Sequence, residues 1–103
     1  MNKKNNIVKA LERILQVPFI IVWRSSRIYS MGYNPKNMDL FIVFSKDYSI
    51  YKYTSVPQEV WDKLTEANKN QTSVGKLFHE LVIKPKYPYV RMELHSSRSS
   101  SAK

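Results

Sequence analysis

The chain has 103 residues, a formal net charge of +9 and no cysteine. This length predicts a single domain, and a hydrophobic content of 43% is sufficient for a packed core. The lack of cysteine excludes disulfide scaffolds, thiolate zinc sites and thiol nucleophiles, whereas the excess of positive charge favours a polyanionic partner, nucleic acid above all.

The N-terminal segment, residues 1–17, predicts an amphipathic helix packed on the domain. Its apolar residues recur at helical spacing and form one stripe, which Pro18 ends. No apolar stretch is long enough for a membrane span, and charged residues interrupt the segment that would form the core of a secretory signal. We therefore expect a cytoplasmic protein with no membrane span. The stripe consists of Ile7, Leu11, Ile14 and Leu15.

Several segments rich in β-branched and aromatic residues predict an antiparallel sheet. Ser25 and Ser26 indicate a bend within the first strand segment, residues 19–33. Residues 32–39 indicate a turn after this segment, and residues 45–48 indicate a hairpin loop. The last segment is expected to be an edge strand. The predicted strand segments are residues 19–33, 40–44, 49–54 and 89–94.

Two helices are predicted after the hairpin. Ser55 and Gln58 form a capping-box pattern at the start of the first helix. Residues 68–72 form a polar loop, and the second helix follows Ser73. The pattern predicts an α+β domain, in which a small antiparallel sheet built on a β-hairpin packs against two or three helices. The expected core side chains of these helices are Val60, Trp61, Leu64, Ala67, Val74, Leu77, Phe78 and Leu81, and Trp23 is also expected in the core.

A family resemblance rests on short motifs in a fixed order. The motifs are Gly32-Tyr33-Asn34-Pro35, Leu40-Phe41-Ile42-Val43-Phe44, Tyr51-Lys52-Tyr53-Thr54-Ser55-Val56-Pro57-Gln58-Glu59-Val60-Trp61, Ser73-Val74-Gly75-Lys76-Leu77-Phe78 and Tyr87. In order and spacing they resemble the KTSC domain, a small α+β module at the C-terminus of some bacterial lysyl-tRNA synthetases and in stand-alone bacterial and phage proteins. The resemblance implies a KTSC-like domain at residues 18–94, followed by a disordered basic tail at 95–103. Fusion to a tRNA synthetase implies a connection with RNA.

The KTSC-like part of the chain, residues 18–94, also departs from the family pattern. Its hairpin loop is longer and lacks glycine, and an insertion separates Ala67 from Ser73. His79 replaces the asparagine of the family, and Ile83-Lys84 replaces its Ile-Arg pair. A ligand specificity carried by those polar positions is therefore not transferred to this chain.

The candidate binding residues are basic and aromatic. Two prolines are expected to hold residues 84–91 extended, as a strip of cations and rings suited to phosphates and unpaired bases. On a strand, Lys52 faces opposite to Tyr51 and Tyr53. The resemblance to the KTSC family implies that the two tyrosines pack toward the helices, which leaves Lys52 on the other face of the sheet. The predicted nucleic-acid-binding residues are Arg24, Arg27, Lys52, Lys76, Lys84, Lys86, Tyr87, Tyr89 and Arg91.

No catalytic, cofactor or metal site is expected. The chain has only two glycines, so neither a P-loop nor a dinucleotide-binding loop is present. Glu93 and His95 share a strand face but lack a third metal ligand, and no nucleophile, base and acid follow a known catalytic pattern.

The charge distribution decides between nucleic-acid classes. The predicted helix at residues 57–70 carries more acids than bases, which disfavours reading of the DNA major groove. The sequence predicts a non-enzymatic protein that binds RNA, single-stranded or structured, with low sequence specificity, such as a phage-encoded accessory factor in the host bacterial cytoplasm. The alternative is a protein-interaction module, an adaptor whose basic sheet surface binds an acidic host or viral protein. A monomer or a small homo-oligomer fits both.

Overall fold

The computed structural model describes residues 6–23 and 25–92. Five strands form one antiparallel sheet in chain order, and helices pack on it, which confirms the predicted α+β class. The predicted tail at 95–103 lies outside the described residues. The elements are α1 (Asn6–Leu15), β1 (Phe19–Ile21), β2 (Ile28–Asn34), β3 (Asp39–Phe44), β4 (Ile50–Tyr53), α2 (Gln58–Lys69), α3 (Val74–Phe78), a π-helical segment that continues α3 (His79–Ile83), and β5 (Tyr89–Met92).

The sheet is covered on both faces. Because side chains alternate along a strand, each strand supplies apolar residues to two cores. One face, with Phe19, Phe41 and Val43, packs against α1, while the other, with Met31 and Ile42, packs against α2, α3 and the π-helical segment. Strands that are buried on both faces are nearly continuous apolar runs, as β3 is.

Gly32 lies inside β2, and the prediction that a turn begins there is wrong. The turn comprises residues 35–38, and it is closed by the Met38 N–H, which donates to the Asn34 carbonyl at 2.8 Å. Gly32 pairs with Phe19 across β1 and β2, and a Cβ at Gly32 would lie 2.8 Å from two carbons of the Phe19 ring. Glycine is therefore needed because the ring occupies the space of a side chain.

The start of α2 differs from the predicted capping box. Ser55 has a left-handed backbone (φ 60°), and the helix is capped by Pro57 with no side-chain hydrogen bond. The cause is the fully buried Val56, whose N–H donates to Met38 and whose carbonyl accepts the Tyr33 hydroxyl at 2.6 Å. These tertiary contacts set the path of the chain before the helix. The prediction that a helix follows Ser73 is confirmed, and the Ser73 hydroxyl caps α3 by accepting the N–H of Lys76.

The first strand segment is divided into β1 and β2, and its Trp23 is not in the core. The strand ends at Ile21, and the buried Asn68 of α2 holds the following chain. The Asn68 side-chain amide donates to the Ile21 carbonyl at 2.9 Å, and its oxygen accepts the backbone N–H of Trp23 at 3.1 Å. The Trp23 side chain therefore projects beside α2 and is 50% exposed.

Two other core predictions are also revised by the packing. Helix α1 is present, but Ile14 is exposed, and Val8 with Leu11 forms its buried face. Trp61 is half-buried and stacks on Tyr33, with ring centroids 5.6 Å apart. None of the helices in the described part of the chain is long and apolar enough to cross a bilayer.

Candidate functional site

An open groove of about 710 Å³ lies at one end of the sheet, between the β3–β4 hairpin and the helix formed by α3 and the π-helical segment. The loop before β2 reaches the same end, because Ile28 of β2 pairs with Phe44 at the end of β3. We call this site the aromatic groove. Its rings belong to Phe44, Tyr51, Tyr53, Phe78 and Tyr89, and its polar and charged lining includes Ser26, Arg27, Lys46, Asp47, Ser49 and His79.

The five rings form one connected cluster. Tyr89 of β5 contacts both tyrosines of β4, with ring centroids 5.4 Å from Tyr51 and 5.4 Å from Tyr53. Phe44 and Phe78 meet these tyrosines edge to face. Tyr53 and Phe78 are buried, Phe44 and Tyr51 are half-buried, and Tyr89 is exposed. The cluster is thus anchored in the core and open at Tyr89.

The hairpin loop places a carboxylate at the rim of the groove. The Asp47 carboxylate accepts the Ser49 N–H at 3.1 Å and lies 3.9 Å from the Arg91 guanidinium of β5. Hydrogen bonds from Ser49, and then the charge of Arg91, lower the pKa of Asp47 below its ordinary value. Asp47 is therefore ionised throughout the neutral range.

Backbone hydrogen bonds fix the position of Arg27, and its side chain is exposed. Its N–H donates to the Ser25 hydroxyl, and its carbonyl accepts the N–H of Ser45 at 2.8 Å. Arg27 also lines an adjoining cleft of about 560 Å³ with Lys76 and His79. The cations Arg27, Lys46 and Lys76 therefore lie along one end of the molecule beside the rings.

A larger cleft, of about 860 Å³, lies between β1 and α2. Its aromatic side chains are Phe19, which is buried, and Trp23, and its charged residues are one acid and one base, Glu66 and Lys69. It combines neither several accessible rings nor clustered charge of one sign. The smaller aromatic groove is the better candidate site.

Burial changes the acidity of one tyrosine in the groove. Desolvation, with smaller contributions from Tyr89 and Tyr51, raises the pKa of Tyr53 from 10.0 to about 12. Only 4% of this side chain is exposed, which agrees with that cause.

We expect Tyr53 to ionise late in an alkaline titration, at a pH near 12. The folded protein then keeps a proton that the unfolded chain loses above pH 10.0, so this contribution to stability is complete below pH 10.0 and is lost as the pH rises toward 12. Tyrosinate absorbance during an alkaline titration measures this step. The Tyr53→Phe variant should lack the late step, and an unchanged titration curve would contradict the assignment.

The prediction that residues 84–91 form an extended strip is wrong. Residues 84–86 form a turn in which Lys86 has a left-handed backbone (φ 66°), and only Tyr89–Met92 is a strand. The cause is the π-helical segment, which continues the chain until the N–H of Lys84 bonds to the His79 carbonyl at 2.9 Å. The Lys84 ammonium also lies 3.4 Å from Glu80.

The predicted binding residues are divided among several places. Arg27 and Tyr89 line the aromatic groove, Arg91 lies beside Asp47 at its rim, and Lys76 lines the adjoining cleft. The other predicted residues lie elsewhere. Lys52 is half-buried on the α1 face of the sheet, where it pairs with Phe41, and Tyr87 packs on the core. Lys84 and Lys86 lie in the turn after the π-helical segment, and Arg24 lies outside the described residues.

Sequence reasoning missed Lys46, Asp47, His79 and the two phenylalanines as site residues. A signal for the hairpin residues was present: in a meander, alternate loops lie at the same end of the sheet, so the loop at 45–48 must lie near the bend at Ser25 and Ser26. The position of His79 depends on the packing of α3. No metal-binding cluster of three acidic or histidine side chains occurs among residues 6–23 and 25–92.

The described architecture has counterparts among known proteins. A family model described as the KTSC domain matches residues 24–87, which is more than half of the chain. The chain belongs to the KTSC domain family. It is 33% identical over 73 residues to an uncharacterized protein of Stutzerimonas stutzeri (strain A1501), covering 71% of this chain and 96% of that one. A crystal structure of a KTSC domain protein from Yersinia pestis matches with a TM-score of 0.62 and 32% identity, over 75% of this chain and 99% of that one.

The KTSC match divides the aromatic groove into two parts. The matched residues 24–87 include Arg27, the β3–β4 hairpin and Phe78. Tyr89 and Arg91 of β5 follow the matched segment, and α1 and β1 precede it. The core of the groove is thus built on the KTSC domain, and β5 adds its exposed ring.

Proposed function

We propose that this KTSC protein is non-enzymatic and binds single-stranded nucleic acid, RNA first, with low sequence specificity in the aromatic groove. The observation that carries the proposal is one open groove that contains accessible tyrosine rings together with Arg27 and Lys46. The net charge of +9 is consistent with a polyanionic ligand.

Tyr89 supplies the stacking surface for an unpaired base. Its side chain is 58% exposed, while contacts with Tyr51 and Tyr53 hold its orientation. Stacking of a base on an aromatic side chain contributes about 1–3 kcal/mol and tolerates any base, since every base has a π-face. Low sequence specificity follows from recognition through stacking.

The cations of the groove and of the adjoining cleft supply the phosphate contacts. Arg27, Lys46 and Lys76 are exposed, and none of them has an ion-pair partner among the described residues. The ionised Asp47 repels phosphate and instead accepts hydrogen bonds from base amino groups. The backbone of the bound strand therefore follows Arg27 and Lys76, and its bases face the rings.

We expect the full chain to bind a labelled single-stranded RNA of about 12 nucleotides in a fluorescence-anisotropy titration. Each phosphate contact to a single strand contributes about 0.7 to the salt dependence, so three cations predict a slope of log K against log salt near −2. A duplex of the same length should bind at least about tenfold more weakly, because paired bases cannot stack on Tyr89.

A polyglutamate peptide of equal charge is the matched competitor, since an acidic protein partner would also be attracted by the basic surface. We expect it to displace the RNA poorly. No binding of RNA or of single-stranded DNA at low salt would overturn the proposal, as would equal competition by polyglutamate or equal affinity for the duplex.

A further inference from the structure

The two edges of the sheet differ in how their backbone groups are covered. At the β1 edge, the Glu12 carboxylate accepts the Phe19 N–H at 2.8 Å, and the Asn68 amide donates to the Ile21 carbonyl at 2.9 Å. These side chains, with Pro18 before the strand, prevent further pairing at β1. Such protection is the usual defence of an edge strand against association.

The β5 edge has no such cover among the described residues. The Thr54 N–H donates to the Pro88 carbonyl at 2.9 Å, so in the alternating antiparallel pattern Pro88 and Val90 direct their backbone groups toward β4. The N–H and C=O groups of Tyr89 and Arg91 consequently point away from the sheet. The side chains of Tyr89 and Val90 are 58% and 53% exposed.

We propose that β5 pairs with β5 of a second copy of this chain, antiparallel about a two-fold axis, and joins the two sheets into one. Tyr89 of each copy lies opposite Arg91 of the other, and the two Val90 residues face each other at the centre. The outward backbone groups of Tyr89 and Arg91 form the new hydrogen bonds. On the α1 face, Met92 lies opposite Pro88 of the other copy. The row of side chains across the new strand pair on this face, formed by Pro88, Val90 and Met92 of both copies, is therefore wholly apolar.

The side chains of β5 are self-complementary in this alignment. At two symmetric positions the Arg91 guanidinium of one copy lies opposite the neutral Tyr89 side chain of the other, so no two like charges face each other. Centring the axis on Arg91 would put two like charges directly opposite, which is destabilising. Centring it on Tyr89 would pair Arg91 with Tyr87, which precedes the strand. The axis at Val90 is therefore favoured by charge and by the extent of the strand.

The pairing has a consequence for the aromatic groove, which rests on the proposed function. Tyr89 lines that groove, so the second copy would bring its Arg91 beside the ring on which a base stacks. Two grooves would then share one continuous surface, and an RNA that spans both would bind more tightly than one that fills a single groove.

The test uses the full chain without nucleic acid, so its outcome is independent of RNA binding. Sedimentation equilibrium at about 0.1 mM protein should give a mass twice that of the 12.2-kDa chain. Added salt should strengthen the dimer, because it screens repulsion between two copies of charge +9, whereas it weakens RNA binding. V90K should be monomeric, and I14K, which adds the same charge at an exposed position on α1, should remain dimeric.

The alignment is tested with single cysteines, because the chain contains none. In V90C the two thiols belong to a non-hydrogen-bonded pair with Cα atoms about 4.5 Å apart, within the range of a disulfide. In R91C the corresponding Cα atoms are about 9 Å apart, beyond that range. A glutathione redox buffer should therefore crosslink V90C and leave R91C monomeric on non-reducing gels. A monomeric wild-type chain at high salt, a dimeric V90K or equal crosslinking of both cysteine variants would overturn the proposal.

Discussion

The Gly32→Ala substitution is expected to lower the free energy of unfolding by about 2 kcal/mol and the midpoint of thermal unfolding by about 10 °C. The added Cβ would lie 2.8 Å from ring carbons of Phe19. Phe19 is only 1% exposed and packs between β2, Phe41 and α1, so its ring cannot move aside without disturbing that core. The smaller conformational entropy of the unfolded alanine chain offsets only part of the loss.

Gly75→Ala is the matched control, since the chain has only two glycines. Its Cβ would meet the Ser25 hydroxyl at 3.2 Å, and alanine is the better helix former, so a stability within about 0.5 kcal/mol of wild type is expected. Thermal melts and urea titrations of both variants give the comparison. In a double-mutant cycle, Phe19→Leu should relieve part of the Gly32→Ala loss. A Gly32→Ala protein as stable as Gly75→Ala would contradict the steric explanation.

Reversing two charges of the aromatic groove, Arg27→Glu with Lys46→Glu, is expected to weaken binding of single-stranded RNA by about 100-fold at low salt, or about 2.7 kcal/mol. Both side chains are exposed, so the fold should be retained. Loss of two phosphate contacts should also reduce the salt slope by about 1.4. Anisotropy titrations over a range of salt concentrations measure both quantities.

The control for this variant keeps the net charge equal and moves the substitutions. Lys9 lies on the exposed side of α1 and Lys36 in the β2–β3 turn, at the other end of the sheet. Lys9→Glu with Lys36→Glu should weaken binding of the RNA by less than about fivefold, because it changes only the long-range electrostatic attraction that comes from the net charge. Equal losses in the two double variants would show that net charge, and not the groove, attracts the RNA.

The features that the sequence predicted correctly are local in origin. β3 and β4 were recognisable because β-branched and aromatic residues follow one another, and their hairpin because a four-residue polar loop separates two such runs. The start of α3 after Ser73 also has a local cause, because the Ser73 hydroxyl accepts the N–H of Lys76, three residues away. The motif order between Gly32 and Tyr87 was sufficient to recognise the KTSC fold.

The errors arose where residues far apart in the chain compete with local preference. Ser55 and Gln58 have capping chemistry, but burial of Val56 takes the chain along another path. Trp23 is a large apolar residue of the kind found in cores. The Asn68 side chain, 45 residues away, accepts the Trp23 backbone N–H, and the indole ring is left exposed. Gly32 suggested a turn because glycine is common in turns. The actual reason for glycine at this position is the Phe19 ring, which only sheet pairing brings next to it.

The sequence by itself determined the composition of the candidate site: a basic, cysteine-free chain with tyrosines on the hairpin strand and near the last strand. Tertiary structure alone decided which of these residues meet. Strand order brings the hairpin loop beside Arg27, and the π-helical segment turns the chain so that β5 lays Tyr89 on Tyr51 and Tyr53. The physical reason is that composition and periodicity act within a few residues, whereas a groove is formed by contacts between segments that only the folded core brings together.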